Sequence, residues 1–434
     1  MCASKTVDRM QTLKLERLVE KSREGQYYTV PFEVPDGVEA LTVQYRYPYG
    51  KKNAKNCIDL GLEDAQGVFL GWSGSARQSV TVGEYTATPG YRMQPVKPGT
   101  WHILVGAYHV AENGVPVEYT VTFTPKQPRW LFGDLHVHSD ASDGQHDIPT
   151  LCRMAKKKGL DFLAVTNHNN YAENLHLPKV PGLTLVPGVE WTHYKGHINF
   201  FGAAVPFAGF IANDEAGMHR ILDTARAAGA VISVNHPRCS LCPCLWQDDR
   251  FFDMMEIWNG PMRSDNKNAI GWWLRLLAQG RHIAAVGGSD FHRDRHPVRM
   301  ANPVTAVYST GRSAGDILTA AQSGYSYITC GMAGPRLSLE YGGCSFGETA
   351  VPEAAGEPIR FAAEKLPSGA VLRLITADEN GVRTLAAAKR GKDGCAQGEY
   401  TPEKALRFAC LLASIRLPFF GDYPLAISNP LYFA

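Results

Sequence analysis

The sequence predicts an α/β protein: a distorted seven-stranded, TIM-like (β/α)7 barrel in the middle of the chain, with β-sandwich-like domains on either side of it. Short apolar strands alternate with amphipathic helices from about residue 130 to residue 330. Segments with strand-type alternation and frequent turn residues precede and follow this region. A third observation indicates where the chemistry lies, because twelve of the fourteen histidines fall between His136 and His296.

Composition is that of an ordinary globular protein and excludes several function classes. Of the 434 residues, 44% are hydrophobic and 20% are charged, and 44 Lys and Arg against 42 Asp and Glu give a net charge of +2. A charge so close to zero gives no reason to expect a nucleic-acid polymer as partner. No apolar run approaches the ~18 residues of a membrane span, so we expect no membrane partner either.

The N-terminal part predicts two segments. Residues 1–25 are polar and mixed in charge, which argues against a secretory signal and favours a polar leader helix. Residues 26–125 alternate as strands do, for example in YYTVPFEV and TWHILVGAYHV, with turn sequences such as PDG and KPGT between them. They carry no cluster of potential ligands. We therefore predict a β-sandwich accessory domain here.

Residues 126–331 predict the catalytic barrel. The first helix, for example, has Asp147 as its N-cap and stops at Gly159. Alternating strands and helices usually build a parallel sheet, which can close into a barrel. The expected strands are 130–138, 161–167, 183–190, 197–202, 230–235, 253–258 and 283–289, and the expected helices are 147–158, 214–228, 265–279 and 314–323.

Strand-type segments return from residue 332 onward, among them PIRFAAEKL and AVLRLITADENG. They predict a C-terminal β domain over residues 332–434.

Imidazoles and carboxylates recur where the expected barrel strands end. WLFGDLHVH places Asp134, His136 and His138 on one face of the first strand, by the two-residue period of a strand. The carboxyl ends of barrel strands hold the active site in this fold class, so these side chains are expected to meet at one rim. Mixed nitrogen and oxygen donors suit two or three divalent ions such as Zn, Mn or Fe. The further candidate ligands are Asp143, His168, Glu190, His197, His236, Asp290 and His292.

Six motifs in succession resemble those of the PHP family, named for polymerase and histidinol phosphatase: DLHVHSDASDG, TNHN, GVEWT, GHINFFG, VNHP and GGSDFH. The resemblance covers about residues 130–330. The flanking β segments and the wording of the motifs are most similar to the carbaryl-hydrolase-like branch of that family. The resemblance implies the PHP fold and a metal-dependent hydrolase.

The resemblance also implies a ligand set and a mechanism. A hydroxide bridging two ions would be the nucleophile, so no serine or cysteine nucleophile is required. The implied ligands are His136, His138, Glu190 and Asp290 for a first ion, Glu190, His197 and His236 for a second, and Asp143, His168 and His292 for a third.

Side chains near these motifs have more than one interpretation. Arg238 is assigned to catalysis together with Asp290 and His292, as a fork for phosphate oxygens, although an exposed arginine often serves only solubility. His193 competes with His197, which is preferred because GHIN matches the family pattern. Asp134 is a candidate partner that orients a ligand imidazole.

The loop CSLCPC follows His236 directly and holds Cys239, Cys242 and Cys244. Three thiols beside a metal cluster could form an extra zinc or redox site, whereas loop cysteines are usually inert. The ten cysteines of the chain are dispersed, which favours free thiols and a cytoplasmic location.

The leading functional prediction is a phosphoesterase that hydrolyses a small phosphorylated metabolite or nucleotide by metal-hydroxide attack. Three divalent ions with three carboxylates leave about +3, which suits an anionic substrate. The alternative is hydrolysis of a carboxylic ester or carbamate, with aromatic residues near the motifs stacking on the leaving group. Those residues are Trp191, Trp246, Trp258 and Phe291. A third hypothesis is a non-catalytic, metal-stabilised binding module.

Overall fold

The computed structural model describes residues 9–49, 56–246, 251–294, 297–351, 357–402, 404–418 and 420–434. They form two compact units. The first contains residues up to Pro128 together with Thr310–Ser313, and the second contains Arg129–Ser309 and Ala314–Ala434.

The first unit consists of two four-stranded antiparallel sheets around a shared apolar core. The sheet orders are β1-β8-β3-β6 and β2-β7-β4-β5. Alternate residues of β8 are buried, as a two-layer sandwich requires. The strands are β1 (Gln11–Val19), β2 (Tyr27–Val34), β3 (Val38–Arg46), β4 (Cys57–Glu63), β5 (Phe69–Gly74), β6 (Ser79–Gly83), β7 (Gly99–His109) and β8 (Val115–Pro125).

The predicted leader helix is wrong where the structure describes it. Residues 11–19 form strand β1, paired with β8 along its whole length, and only Lys21–Arg23 form a single 3-10 turn. Residues 1–8 lie outside the described residues. Leu, Lys, Glu and Arg favour a helix locally, but the backbone pairing with β8 overrides that weak preference.

The second unit begins with the predicted strand and helix region, and all seven expected strands are present as β9–β15. Their bounds are β9 (Arg129–Val137), β10 (Phe162–Val165), β11 (Thr184–His193), β12 (Gly196–Phe201), β13 (Val231–Val234), β14 (Met254–Asn259) and β15 (Ala284–Gly288). The four expected helices are α1 (Ile148–Lys158), α2 (Glu215–Ala227), α3 (Ser264–Ala278) and α4 (Ala314–Gln322). A 3-10 helix also spans Ala172–His176.

Helix α1 shows why the helix bounds agree with the sequence. The Asp147 side chain accepts a hydrogen bond from the backbone N–H of Thr150 at 2.8 Å. Gly159 ends the helix in the left-handed region at φ 80°. The N-cap and the C-terminal glycine are local signals, so they do not depend on what packs around the helix.

Strand directions depart from a regular (β/α)7 pattern. β9, β10 and β11 are parallel neighbours, and so are β13, β14 and β15, but β12 runs antiparallel to both β11 and β13. Only Tyr194 and Lys195 connect β11 to β12, and a two-residue turn is too short for a parallel crossover. Beyond β15, a parallel bridge joins Phe291 to Val137. Closure into a barrel stays a prediction.

Most of the C-terminal strands continue the same sheet, and three of them form a separate three-stranded sheet within the same unit, so they are not a separate domain. Two strands that the sequence did not indicate, β16 (Val304–Ser309) and β17 (Ser326–Thr329), extend the path from β9 to β25. The remaining strands are β18 (Arg336–Glu340), β19 (Thr349–Ala350), β20 (Ile359–Glu364), β21 (Ala370–Asp378), β22 (Gly381–Lys389), β23 (Ala396–Tyr400), β24 (Phe408–Leu417), β25 (Gly421–Ser428) and β26 (Leu431–Phe433).

The core explains this continuity. Ile375 and Phe408, from the C-terminal strands, belong to the same buried cluster as Trp273 and Leu277 of α3. The predicted boundary at 331/332 therefore crosses a single apolar core. Among the described residues, no helix combines the length and the apolar character that a membrane crossing requires.

Candidate metal centre

Successive segments of the second unit bring all nine candidate ligands into one cluster. His136 lies in β9 and His138 directly follows it, while Glu190 lies in β11 and His197 in β12. The other five lie in the segments that follow β9, β10, β13 and β15: Asp143, His168, His236, Asp290 and His292. The signal that found them, polar ligands at strand ends, also describes their placement here.

Glu190 lies at the middle of the cluster, since five imidazoles surround its carboxylate. Its Oε2 lies 2.9 Å from His168 Nδ1 and 3.5 Å from His138 Nε2. Its Oε1 lies 3.1 to 3.4 Å from ring nitrogens of three further histidines, His136, His197 and His236. A buried carboxylate with so many nitrogen neighbours suits a bridging ligand.

The two other carboxylates of the cluster also lie close to imidazole nitrogens. Asp290 Oδ1 lies 3.2 Å from His138 Nε2 and 3.4 Å from His136 Nε2. Asp143 Oδ1 lies 3.3 Å from His292 Nε2 and 3.6 Å from His168 Nε2. Three sets have donor atoms that lie within 4.8 Å of one another: His136, His138 and Asp290; His138, Asp143, His168 and His292; and His197, His236 and Cys242.

These donors fit divalent cations. Among the described residues, His136 Nε2, both ring nitrogens of His138 and Glu190 Oε2 are buried and have no hydrogen-bond partner. Buried polar atoms without partners are costly, and a cation supplies the interaction they lack. Such close nitrogen and oxygen atoms without hydrogen-bond geometry match the mixed donor set of Zn, Mn or Fe.

Burial and neighbouring charges shift the pKa values of the clustered side chains in opposite directions. Burial opposes the charged form of Glu190, but the His136 imidazole and its other histidine neighbours hold the pKa of this carboxyl well below its usual range. Burial likewise opposes charge on His136, yet Glu256, Asp290 and Glu190 raise its pKa well above the usual value. Burial lowers the pKa of His138 to about 4, which leaves it a neutral imidazole, the form that binds metal.

Glu256, not Asp134, lies at the outer nitrogen of a candidate ligand imidazole. Glu256 Oε1 lies 3.0 Å from His136 Nδ1, and its Oε2 accepts a hydrogen bond from the backbone N–H of His236. Asp134 accepts hydrogen bonds from the backbone N–H groups of His136, Ser289 and Ala301. Sequence reasoning missed Glu256 because it lies inside apolar strand β14, without a motif around it.

Backbone geometry at the cluster is specialised. Asp290 and His236 have φ values of 56° and 28°, in a region that non-glycine residues rarely adopt. At Gly288 a Cβ would overlap the Cβ of His136 and lie 2.8 Å from Glu256 Oε1. A glycine is therefore required where β15 passes closest to the ligands.

The structure places the Arg238 guanidinium against an aromatic ring. Its exposed guanidinium lies over the indole of Trp272, 4.3 Å from the ring centroid. A second exposed arginine, Arg293, adjoins the cluster, and its Nη2 donates to the Asp143 carbonyl at 3.4 Å. Both are exposed, so sequence position alone did not separate them.

The structure places His197 in the cluster and His193 outside it. His193 Nε2 donates to the Ala212 carbonyl at 2.8 Å, and its Nδ1 accepts from the backbone N–H of Lys195 at 3.0 Å. Both nitrogens are therefore engaged, whereas His197 Nδ1 faces Glu190. The four aromatic residues near the motifs are buried wall residues: Trp191, Trp246, Trp258 and Phe291.

Residues 134–234 match the family model of the PHP domain. The PHP match includes six of the nine clustered side chains, and His236, Asp290 and His292 follow it in the chain.

Several known proteins are similar to this chain. An uncharacterized protein of Methanocaldococcus jannaschii is 25% identical over an alignment of 159 positions, and the match covers 32% of this chain and 86% of the relative. A solved two-domain protein of Bacteroides vulgatus, containing a predicted PHP-like metal-dependent phosphoesterase, is 16% identical and covers 69% of this chain and 95% of its own, with a TM-score of 0.40.

A solved protein of Bifidobacterium adolescentis, named as a candidate metal-dependent phosphoesterase, is 15% identical. It covers 39% of this chain and 90% of its own, with a TM-score of 0.29. The two TM-scores are too low to establish a shared fold.

Proposed function

We propose that this protein is a metal-dependent phosphoester hydrolase that acts on a small phosphorylated metabolite or nucleotide. The observation that carries the proposal is the buried Glu190 carboxylate with five imidazole nitrogens 2.9 to 3.5 Å away. The PHP match over residues 134–234 supports it. Membership of the carbaryl-hydrolase-like branch and closure of the sheet into a seven-stranded barrel are parts of the same proposal.

Two or three divalent ions, Zn, Mn or Fe, would be held by the clustered side chains. His136, His138, Glu190 and Asp290 would hold the first, Glu190, His197 and His236 the second, and Asp143, His168 and His292 the third. Bound there, the ions would supply Lewis-acid stabilisation of phosphoryl oxygens and a lowered pKa of water.

The chain's own residues then set charge and orientation. Three divalent ions and the ligand carboxylates leave about +3, and the buried Glu256 beside His136 lowers this to about +2. The surplus still favours an anionic ester over a neutral one. Arg293, exposed beside Asp143, is a basic side chain that can meet phosphate oxygens entering from solvent.

The third position is the open side of the centre, which supports an enzyme over a binding module. The Asp143 side chain is 52% exposed, and those of His168 and His292 are 27% and 23% exposed, while His136 and His138 are fully buried. A purely structural metal site is normally closed to solvent. Substrate can therefore approach from the Asp143 side.

Ester or carbamate hydrolysis has less support than phosphoester hydrolysis. Its argument was an aromatic rim, but the four aromatic residues are at most 6% exposed and cannot stack on a bound leaving group. A small-molecule substrate, the accessory role of the first unit and a cytoplasmic location remain proposals that accompany the function.

The test is phosphoesterase activity of the purified chain loaded with Mn²⁺ or Zn²⁺. We expect cleavage of p-nitrophenyl phosphate, its diester analogue or a metabolite phosphate, and loss of that cleavage in Asp290→Asn. Glu399→Gln, at an exposed carboxylate of β23, is the matched control and should remain active. An ion-loaded protein that is inactive on a broad phosphoester panel but cleaves 1-naphthyl acetate would overturn the proposal.

A further inference from the structure

The thiol-bearing loop after β13 lies against one of the candidate ligands. Cys242 Sγ is 3.6 Å from His236 Nδ1, on the side of the imidazole opposite the one that faces Glu190. Cys239 Sγ lies 3.3 Å from Cys242 Sγ. Glu190, His236, Cys242 and Cys239 therefore form a continuous chain of contacts, from the centre of the cluster out to a pair of thiols.

His236 is arranged as His136 is. Each ring presents Nε2 to Glu190 and Nδ1 to a second acceptor on its far side, Glu256 Oε1 for His136 and Cys242 Sγ for His236. An outer acceptor fixes which nitrogen carries the proton and holds the ring in orientation for the ion. The Cys242 sulfur thus takes the position at His236 that the Glu256 carboxylate takes at His136.

The loop is built to keep the sulfurs in place. Ser240 donates to Asp265 Oδ2 through its backbone N–H and its hydroxyl, and the backbone N–H of Cys244 donates to the Pro237 carbonyl. The backbone N–H of Leu241 donates to Cys239 Sγ at 3.4 Å. Cys239 is buried and Cys242 is half-buried, so Cys242 is the thiol that solvent reaches first.

We propose that Cys239 and Cys242 are an oxidisable thiol pair that controls how firmly His236 holds the second ion. Cys242 is a positioning residue, since it acts through the His236 imidazole. The inference rests on the proposed function only in requiring His236 to be an ion ligand. It adds a redox dependence that the proposed function does not contain.

The oxidation balances with a hydroperoxide as oxidant. The Cys242 sulfur takes an oxygen from hydrogen peroxide, giving a sulfenic acid and one water, and the Cys239 sulfur then displaces the second water as the S–S bond forms. The two S–H bonds are broken, and the two electrons they release reduce the O–O bond. The sulfurs need to approach from 3.3 Å to the ~2.05 Å of a disulfide.

Forming the disulfide weakens the outer acceptor of His236. A disulfide sulfur carries less negative charge than a thiol or thiolate sulfur, and the new bond draws Cys242 toward Cys239. Loss of an outer partner typically lowers metal affinity by about 10–100-fold. We expect a loss of that size for the second ion on oxidation, reversed by dithiothreitol.

The experiment measures ions and thiols in the full chain, without any substrate. Zinc-loaded protein is treated with hydrogen peroxide, cleared with catalase and dialysed against a weak chelator. Zinc per chain and free thiols are then counted, and peptide mapping locates any disulfide. Wild type should lose one zinc and two thiols as a Cys239–Cys242 bond forms, and dithiothreitol with zinc should restore both.

Matched variants separate the possible outcomes. Cys239→Ser should keep its zinc under peroxide, Cys244→Ser should behave as wild type, and Cys242→Ser should bind the second zinc about 10–100-fold more weakly while still reduced. Circular dichroism and thermal melts check that each variant is folded.

Three results would overturn the inference. One is a Cys239–Cys242 disulfide with zinc fully retained, and another is the absence of that disulfide after peroxide. The third is a thiolate-to-cobalt charge-transfer band in the Co²⁺ form that disappears in Cys242→Ser, since the sulfur would then be a direct ligand. A reduced wild type that binds no zinc would instead refute the metal centre itself.

Discussion

Individual carboxylates in the second unit have different tasks despite similar burial. Glu190, Glu256 and Asp134 are all nearly inaccessible, but the first faces imidazoles, the second faces the outer nitrogen of an imidazole and the third accepts backbone N–H groups. The sequence marked Glu190 through its motif and Asp134 through its place beside His136. Only the contacts distinguish an orienting carboxylate from one that holds the backbone.

Glu256→Gln should weaken ion binding more than it weakens the fold. An amide in place of the carboxylate is a poorer acceptor for His136 Nδ1, so we expect metal affinity to fall by about 10–100-fold. Chelator competition on the purified variant measures this fall.

Asp134→Asn is the matched comparison. Its amide nitrogen would face a backbone N–H such as that of Ala301, which should cost about 1–3 kcal/mol of unfolding free energy. Denaturant unfolding measures that cost, and metal affinity should change less than in Glu256→Gln. If Asp134→Asn lost ions more readily than Glu256→Gln, the roles given to the two carboxylates would be reversed.

The two exposed arginines should also differ. Arg293→Ala is expected to raise KM for a phosphoester several-fold with less change in kcat, because Arg293 adjoins Asp143 and would contact the bound anion. Arg238→Ala should leave KM near the wild-type value, since its guanidinium is stacked on Trp272. Steady-state kinetics of both variants decide between them, and the reverse order of effects would restore the original assignment of Arg238.

Secondary-structure elements explain how the ligands approach each other so closely. β15 runs beside β9 near His136, and Gly288 leaves no side chain between the strand and the ligands. β11 and β12 form a hairpin that holds Glu190 and His197 on adjacent strands. The helix bounds could be predicted from N-caps and terminating glycines. The antiparallel direction of β12 follows from the turn before it, which is too short to contain a helix.

Gly288→Ala should therefore impair the centre through sterics alone. The added methyl would displace His136 or Glu256, so we expect loss of bound ions and of activity, with destabilisation of about 1–3 kcal/mol from overpacking. Ion content and thermal unfolding provide the readouts. Gly209→Ala is the control, because a Cβ there meets nothing within 4 Å. An ion-replete Gly288→Ala protein would contradict the close approach of β15 and β9.

On the scale of the whole molecule, the chain folds as two units with separate cores. The first core uses only residues of the N-terminal sandwich, while a single cluster in the second unit joins α3 to the C-terminal strands. Removing the ions should thus affect one cooperative unit and spare the other. The C-terminal strands should unfold together with the metal centre because they share its core.

Calorimetry with and without a chelator tests this division. At free zinc 100-fold above its Kd, binding of one ion stabilises the second unit by about 2.7 kcal/mol. For a unit of roughly 300 residues, chelation should therefore lower its transition by about 4 °C. Leu372→Ala, in a buried position of β21, should shift the same transition, whereas Leu41→Ala should shift only the transition of the first unit. Each of these two substitutions should lower the unfolding free energy of its unit by about 2–5 kcal/mol. A chelator shift in the transition sensitive to Leu41→Ala would contradict the two-unit division.

Short-range patterns were sufficient for the nine clustered side chains, the four helices and the seven strands β9–β15, because strand periodicity, caps and polar strand ends are written within a few residues. Contacts between distant segments decided the rest. Pairing with β8 turned the polar leader into β1, the apolar core merged the C-terminal strands with the second unit, and packing brought Glu256 and Cys242 to the outer nitrogens of His136 and His236. Such contacts leave no local trace, because their free energy depends on residues more than a hundred positions away or on the course of a loop.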